Sequence, residues 1–250
     1  MKRSAPLFAC LLLTGAALGQ TPGSARQAPT ARSSAPVDLT GYWVSVVTED
    51  WAWRMRTPPK GDYASIPLNA AGEHAADTWT EAEDGSCLAF GAPAMLRMPT
   101  RARITWVDDQ TLKLETDNGV QTRLLHFGPS PANSSGAPSL QGGSHATWQI
   151  PNQVTDRGEN TGQKSDDAWA PLKVVTTNLS PAWLRPNGVP YSANAVLTEY
   201  FDRFADGDDA WFVVTTIVDD PAYLTEPLVI SSNFKREANG AKWAPKPCKG

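Results

Sequence analysis

The chain has 250 residues and carries 22 Lys and Arg against 26 Asp and Glu, which gives a formal net charge of −4. This acidic balance argues against binding to nucleic acid, which needs a basic face. No stretch beyond the N-terminus has the run of about 18 apolar residues that a membrane-spanning helix needs, so we expect no transmembrane segment.

The N-terminus has the pattern of an export signal. Lys2 and Arg3 precede an apolar run over residues 5–15, and Ala17-Leu18-Gly19 supplies small residues for cleavage. This predicts a signal peptide over 1–19, and a periplasmic or extracellular location. Residues 20–37 are rich in Ala, Pro, Ser and Thr, which predicts a disordered leader. A single domain is then expected over 38–250.

Two cysteines, Cys87 and Cys248, remain after signal cleavage. In an oxidising compartment two cysteines most simply form one disulfide. The bridge would tie the C-terminal tail to the first third of the chain. The alternative is two unpaired thiols.

The domain opens with strands predicted over 41–49 and 51–57. In the second, Trp51, Trp53 and Met55 alternate with Ala52, Arg54 and Arg56. That period of two is typical of a strand with one aromatic and one basic face. A tryptophan face suits either a core or an apolar ligand site.

A helix is predicted over 69–83, after a proline-rich loop over 58–67. Asn69 can cap this helix, its first turns are rich in alanine, and Gly85 can end it. It is the one good helix that the sequence indicates.

Residues 101–127 predict a three-stranded antiparallel meander. Strand-like runs at 101–107, 111–117 and 120–127 are separated by turn residues. Asn118-Gly119 is a strong hairpin signal, because a type I′ turn needs positive φ at both central residues. We therefore expect a two-residue turn there.

The second half of the chain predicts further strands and two long surface loops. The loops are expected over 128–143 and 151–170. Strands are expected over 145–150 and 172–179, in a hairpin over 195–218, and near 227–235. Together these elements predict an all-β fold, an antiparallel barrel of about 8 to 10 strands with one short helix and long loops.

Gly41-Tyr42-Trp43 resembles the Gly-x-Trp motif of lipocalins and other calycins. The resemblance implies a lipocalin-like, ligand-binding barrel in which this tryptophan packs at the closed end. It also implies a later arginine over the tryptophan, for which Arg123 and Arg203 are candidates.

The chain as a whole also resembles a family of uncharacterised exported bacterial proteins. The likeness lies in the Trp-rich opening, the 101–127 meander, and the stretches Thr-Glu-Tyr-Phe-Asp-Arg and Asp-Asp-Pro-Ala-Tyr-Leu. It covers most of residues 38–248 and implies one intact domain. It implies no particular activity.

Candidate acid–base chemistry centres on Glu199. Period two places it on one face with Leu197, Phe201 and Arg203, and an inward carboxylate must be paired or hold a proton. Such a group could act as general acid or base with His126, while Arg203 stabilises charge. The alternatives are a structural Glu–Arg pair, an outward Glu199, and a hydrogen-bonded core histidine at 126.

Other polar residues give weaker signals. The three histidines lack metal-ligand spacing, and the acidic stretches at 206–209 and 219–220 lie where turns are expected. We therefore expect neither a metal nor a cofactor. Several arginines in or beside strands could hold an anionic group if they faced a cavity, or could form a solvated face: Arg54, Arg56, Arg97, Arg101, Arg103 and Arg123.

Three hypotheses for function follow. The leading one is that an exported barrel binds a small apolar or aromatic molecule in a cavity lined by Trp43, Trp51, Trp53, Tyr200 and Trp211. The second is a cofactor-free lyase, isomerase or hydratase that uses Glu199, His126 and Arg203. The third is an envelope structural protein without a pocket. The sequence indicates no oligomeric state.

Overall fold

The computed structural model describes residues 29–80, 87–128, 136–149 and 171–248. The expected signal peptide, the loop predicted over 151–170 and residues 129–135 of the loop predicted over 128–143 lie outside these ranges. Strands dominate the described part of the chain, and nine of them close a barrel. The expectation of an all-β barrel is thereby confirmed.

The barrel wall is a single mixed sheet. Its strands are β1 Gly41–Val46, β2 Arg101–Asp108, β3 Thr111–Thr116, β5 Thr122–Phe127, β6 Gly143–Trp148, β7 Leu172–Thr177, β10 Val196–Asp206, β11 Asp209–Asp219 and β12 Leu228–Glu237. Around the wall the order is β1-β12-β11-β10-β7-β6-β5-β3-β2, and β2 pairs with β1 to close it. The predicted meander is present as β2, β3 and β5.

One strand pair departs from the antiparallel arrangement that the sequence predicted. β5 and β6 run parallel, with Leu125 opposite Ser144 and Phe127 opposite Ala146. A parallel pair needs a connection of about a dozen or more residues to return to the starting end of the sheet. The segment 128–142 between the two strands has that length, whereas β2–β3 and β10–β11 are joined by two residues each.

Smaller elements complete the described fold. They are the helices α1 Trp51–Arg54, α2 Ala70–Thr78 and α3 Ala92–Met95, a 3₁₀ turn at Leu88–Phe90, and the short strands β4 Asn118–Gly119, β8 Ala182–Arg185, β9 Val189–Tyr191 and β13 Lys246–Pro247. β8 and β9 form a hairpin, which pattern analysis of the sequence did not identify. Its side chains join an apolar cluster with the buried ends of β10 and β11.

The strand predicted over 51–57 is wrong, because this segment contains the helical turn α1. Asp50 precedes the turn with a φ of 49°, a left-handed conformation that ends the extended chain. Trp51 and Met55 then share one helical face, and they are 65% and 59% exposed. Arg54 is buried instead. The alternation in the sequence reflects a helical turn with one exposed face.

The helix predicted over 69–83 is shorter in the structure. Asn69 caps α2 as expected, and its side chain accepts a hydrogen bond from the Gly72 amide at 2.9 Å. The helix ends at Thr78 because Trp79 has an extended backbone. The Trp79 side chain packs against Gly188, where a Cβ would lie 2.3 Å from it.

The β3–β5 connection is longer than the two-residue turn that Asn118-Gly119 predicted. The Thr116 amide donates to the Gln121 carbonyl at 3.0 Å, so four residues lie between this pair. Positive φ occurs at Gly119 and Val120 rather than at Asn118. Asn118 is held elsewhere, since its side chain donates to the Pro99 carbonyl at 3.0 Å. The antiparallel pairing is confirmed, while the turn type is not.

The C-terminal tail crosses the β3–β5 turn. Cys87 and Cys248 form the expected disulfide, with Cα atoms 5.4 Å apart and a sequence separation of 161. Just before Cys248, β13 pairs in parallel with β4. The Lys246 amide also donates to the Asp117 carbonyl at 2.7 Å. The bridge therefore anchors a tail that packs along the barrel wall.

Part of the segment predicted as a disordered leader, 20–37, packs on the barrel. Ala31 is 9% exposed, and its carbonyl accepts a hydrogen bond from the Trp148 indole at 3.0 Å. The Arg32 amide donates to the Asp109 carbonyl at 3.1 Å. The ordered domain thus begins before residue 38, because Trp148 at the strand end needs a hydrogen-bond acceptor that this segment supplies.

Candidate ligand-binding site

The aromatic interior expected to form a ligand cavity is packed with side chains. Trp43 is fully buried, and its indole donates to the Leu39 carbonyl at 3.0 Å. Its ring centre lies 4.8 Å from that of Phe212, which in turn stacks on Phe234 at 4.7 Å. These distances are those of rings in direct contact. Trp43 therefore belongs to the solid core of the barrel.

The other aromatic residues that were predicted to line a ligand cavity lie outside this core. Trp51 is exposed on α1, while Trp53 is half-buried and donates to the Asp62 carboxylate at 2.9 Å. Tyr200 and Trp211 lie on the outer face, because their neighbours in β10 and β11 are the buried ones. The structure does not bring the five aromatic residues into one cavity. Strand alternation separates those of β10 and β11 from Trp43.

The arginine over Trp43 is neither of the two candidates named from the sequence. The Arg236 guanidinium lies 5.6 Å from the Trp43 ring centre. Arg236 is the residue directly opposite Trp43 in the β1–β12 pairing. This cross-strand position explains the contact, and no local motif in the sequence marks it.

Glu199 points into the barrel and is paired there with Arg123. Two Arg123 nitrogens donate to the two carboxylate oxygens at 3.1 and 2.7 Å, and both side chains are at most 1% exposed. Arg123 also donates to the Thr176 hydroxyl at 3.0 Å, and the Thr176 and Ser144 hydroxyls are 2.8 Å apart. The carboxylate is thus neutralised by a doubly hydrogen-bonded arginine, which is the structural alternative considered for it.

A buried tyrosine lies near this ion pair. The Tyr191 hydroxyl is buried without a hydrogen-bond partner among the described residues. Burial raises the pKa of Tyr191 above its ordinary value, and the positive charge of Arg123 acts in the opposite direction. The hydroxyl therefore keeps its proton over the physiological range.

His126 and Glu199 lie on opposite faces of the barrel wall. In β5 the buried residues are Arg123 and Leu125, whereas His126 shares the outer face with the exposed Thr122 and Leu124. The His126 Nδ1 lies 3.4 Å from the Thr111 hydroxyl. Arg203 shares the inward parity of Glu199, yet the partner of Glu199 is Arg123. The structure does not bring the three proposed catalytic residues together.

An open groove lies on the outside of the barrel. It has a volume of about 790 Å³ and runs between β1, the start of β2 and the C-terminal tail. We call it the tail groove, and it is lined by Val44, Ser45, Val46, Val47, Met55, Pro99, Thr100, Arg101, Asp117, Asn118, Ala244 and Lys246. The disulfide at Cys248 holds the tail that forms one of its sides.

The tail groove has an apolar wall and a polar side. Met55 contributes an exposed apolar side chain to it, with valines of β1. On the polar side, the Asp117 carboxylate accepts hydrogen bonds from the Arg101 amide at 2.7 Å and the Thr100 hydroxyl at 3.1 Å. Arg101 is itself paired with Glu237 at 3.0 Å. The Lys246 ammonium, by contrast, has no ion-pair partner within the described ranges.

Sequence reasoning named Arg101 as a candidate but missed the groove itself, because its lining residues come from five separated segments of the chain. It also missed the role of Arg123, although a signal was present. Arg123 alternates with Leu125 and Phe127, so a period-two pattern could have placed it on the buried face. The choice of inward face in β5 would have identified it as a partner for an inward carboxylate.

In the described part of the chain, no three His, Cys, Asp or Glu side chains are grouped as a metal site would need. Nor does any helix there have the length and apolar character to cross a membrane. Comparison of the chain with protein-family models, with curated proteins and with solved structures finds no match.

Proposed function

We propose that this protein is an exported β-barrel protein that binds a small, largely apolar molecule bearing one acidic group, and that the ligand lies in the tail groove. The observation that carries the proposal is the groove itself, with a volume of about 790 Å³. Small-molecule sites commonly measure about 300–1,000 Å³ and combine apolar walls with a few polar groups.

The acidic group is argued from the charges of the groove. The carboxylate of Asp117 and the guanidinium of Arg101 are engaged with protein partners. Lys246 is exposed and free to pair with an anion from solution. The apolar body would then lie against Met55 and the β1 valines, which would reduce their exposure to water.

Trp43 and Arg236 match one feature of the lipocalin-like resemblance, which bears on the barrel and not on the position of the ligand. An arginine over the tryptophan of the Gly-x-Trp motif is what that resemblance implies, and the two side chains are in contact. The nine-stranded wall and its parallel pair are differences from an eight-stranded calycin barrel. Export is supported by the N-terminal pattern and by the Cys87–Cys248 bridge, which suits an oxidising compartment.

The proposal is tested by titrating the purified protein with the fluorescent probe 8-anilinonaphthalene-1-sulfonate, an apolar molecule with one acidic group. The variants Met55→Glu and Lys246→Glu should each weaken binding at least about tenfold. The first places a charge against the apolar body of the probe, and the second places a negative charge beside its sulfonate. Val229→Glu is the matched control, because Val229 is 60% exposed, like Met55 at 59%, and does not line the groove.

Equal probe affinity in the Met55 and Val229 variants would contradict the proposal. Absence of saturable binding to the unmodified protein would favour the structural hypothesis instead. Native mass spectrometry of protein purified from its own host would then look for a bound small molecule directly.

A further inference from the structure

Three arginine side chains converge where the segment after β1 meets the β8–β9 hairpin. Arg54 comes from α1, Arg97 follows α3, and Arg185 ends β8. Arg54 and Arg185 are only 7% and 9% exposed, and the Arg97 side chain is 12% exposed. We call this set of three the arginine cleft. Three guanidinium groups so deeply buried need negative partners.

Two of the three arginines have such partners. The Glu49 carboxylate accepts hydrogen bonds from Arg54 at 2.9 Å and from Arg97 at 3.2 Å. Arg97 also forms an ion pair with Asp50 and donates to the Ser231 carbonyl at 2.6 Å. The two carboxylates of the cleft are therefore both paired, and their partners are Arg54 and Arg97.

Arg185 is left without an ion pair among the described residues. Its guanidinium lies 5.8 Å from the ring centre of Trp53, and Asp50 and Asp62 act on its charge only through space. Its Nη1 is buried with no hydrogen-bond partner. The Nη2 of Arg54 is buried and unpartnered as well. Buried donors of a charged group are costly to leave unpaired.

Small empty spaces lie beside these unpartnered donors. Two voids of about 20 Å³ each are lined in common by Asp50, Arg97, Leu184 and Arg185, and one of them also by Arg54. A space of that size holds about one water-sized atom. Apolar side chains complete the walls, among them Pro93, Met98, Leu228 and Ile230. The cleft therefore combines oxygen-sized spaces, mostly apolar walls and unpartnered charged donors.

The electrostatic environment of the arginine cleft also favours the binding of an anion. Burial first, and then the neighbouring charge of Arg97, lower the pKa of Arg54 to about 10, against the opposing effect of Glu49 and Asp50. Burial is also the main cause that lowers the pKa of Arg97 and of Arg185. Each guanidinium is thus less stable in its charged form than it would be in water, and an added anion would reverse this effect.

We propose that the arginine cleft binds one small monoanion, the carboxylate group of an organic acid, with Arg54 Nη2 and Arg185 Nη1 as hydrogen-bond donors. One unpaired positive charge matches one negative charge. Each void holds about one oxygen-sized atom, which favours the small carboxylate group over the larger tetrahedral phosphate or sulfate. A carboxylate oxygen can accept a hydrogen bond from each of these two donors, and such charge-assisted bonds are stronger than neutral ones.

The experiment measures thermal unfolding of the full chain in a chloride-free zwitterionic buffer, with added sodium formate, acetate, chloride, phosphate or sulfate at equal ionic strength. Formate and acetate should raise the unfolding midpoint in a saturable way, because binding to the folded state alone stabilises it. Isothermal titration with acetate gives the affinity. Arg185→Met should weaken that affinity at least about tenfold, the usual effect of losing a charge-assisted hydrogen bond.

The Arg185→Met variant also separates a ligand site from a structural arginine. Without added anion its midpoint should equal or exceed that of the unmodified protein, since it removes a buried charge that has no ion pair. Arg56→Met is the matched control, because Arg56 is exposed and lines neither void. It should keep the full response to acetate.

Four results would overturn the proposal: no saturable response to formate or acetate, an undiminished response in Arg185→Met, a larger response to phosphate or sulfate, or a response to chloride alone. The tail groove shares no lining residue with either void. Failure of the probe experiment at Met55 and Lys246 therefore leaves this test intact, and the converse also holds.

Discussion

Arg123 and Glu199 lie 76 residues apart in the chain, yet they form a doubly hydrogen-bonded ion pair inside the barrel. Arg123 is on β5 and Glu199 on β10, and β6 and β7 lie between them in the wall with the hydroxyls of Ser144 and Thr176. A buried ion pair of this kind is costly to break from one side, because the remaining charge is left unpaired.

The first prediction follows from that asymmetry. Glu199→Leu and Arg123→Met should each lower the free energy of unfolding by about 3–5 kcal/mol, while the double variant Arg123→Met/Glu199→Leu should recover most of the loss. Urea unfolding of the two single variants and the double variant gives the coupling energy. Glu115→Gln is the control, since its pair with Arg103 is partly exposed and should cost under about 1 kcal/mol. Equal losses in the single and double variants would contradict the expectation.

The second prediction concerns the tail. The double variant Cys87→Ser/Cys248→Ser should lower the free energy of unfolding by up to about 5 kcal/mol, because the bridge closes a loop of 161 residues in the unfolded chain. It should also weaken probe binding in the tail groove, since Ala244 and Lys246 form one side of it. An unchanged urea midpoint together with unchanged probe affinity would show that the tail stays in place without the bridge.

The third prediction concerns alkaline pH. An unfolded tyrosine loses its proton near pH 10, whereas burial raises the pKa of Tyr191 in the folded state. Above about pH 10 the unfolded state therefore binds fewer protons than the folded state, and stability falls by up to about 1.4 kcal/mol per pH unit. Tyr191→Phe should remove this part of the decline.

At neutral pH the same Tyr191→Phe variant should be as stable as the unmodified protein or more so, because the buried hydroxyl has no partner. Tyr200→Phe, on the outer face, is the comparison that keeps Tyr191 and should keep the alkaline decline. Urea unfolding between about pH 8 and pH 11 measures all three proteins. Parallel pH curves for the unmodified protein and Tyr191→Phe would refute this account of Tyr191.

The fourth prediction concerns the cap of α2. Asn69 accepts from the Gly72 amide, and its side-chain nitrogen donates to the carbonyls of Pro221 and Ala222 at 3.3 and 3.2 Å. Asn69→Ala should therefore cost more than the roughly 1 kcal/mol of an ordinary cap. Asn69→Ser keeps a cap acceptor and should cost less than the alanine variant. If the unfolding midpoint of Asn69→Ser is no higher than that of Asn69→Ala, the cap contact contributes little.

The strands were predictable because residues that alternate in character along the sequence also alternate between the two faces of the barrel wall. Leu197, Glu199 and Phe201 were placed on one face from the sequence, and they are the buried residues of β10. The same rule failed at Trp51 and Trp53, since a run of six alternating residues also fits a single helical turn with one exposed face. The Asn118-Gly119 signal predicted the correct hairpin, and contacts of Asn118 with Pro99 set its longer turn.

The site residues were less predictable for a different reason. Arg185 ends a four-residue strand in a hairpin that the sequence pattern did not indicate. The carboxylates that act on its charge belong to other segments of the chain. Lys246 and Asp117 meet because a disulfide holds the tail against a turn more than a hundred residues away. Contacts of this range depend on the closure of the barrel and leave no local period in the sequence.

The sequence by itself determined the strand-rich wall, the 101–127 meander and the α2 cap, because these depend on residues that are close together in the chain. It also determined the cysteine pairing, because only two cysteines remain after the predicted signal cleavage. The tertiary structure decided that Glu199 pairs with Arg123, that the interior aromatic residues form a solid core, and that open space lies in an outer groove and an arginine cleft. The physical reason is packing, since which face is filled and which charge is left unpaired depend on strands brought together by closing the sheet.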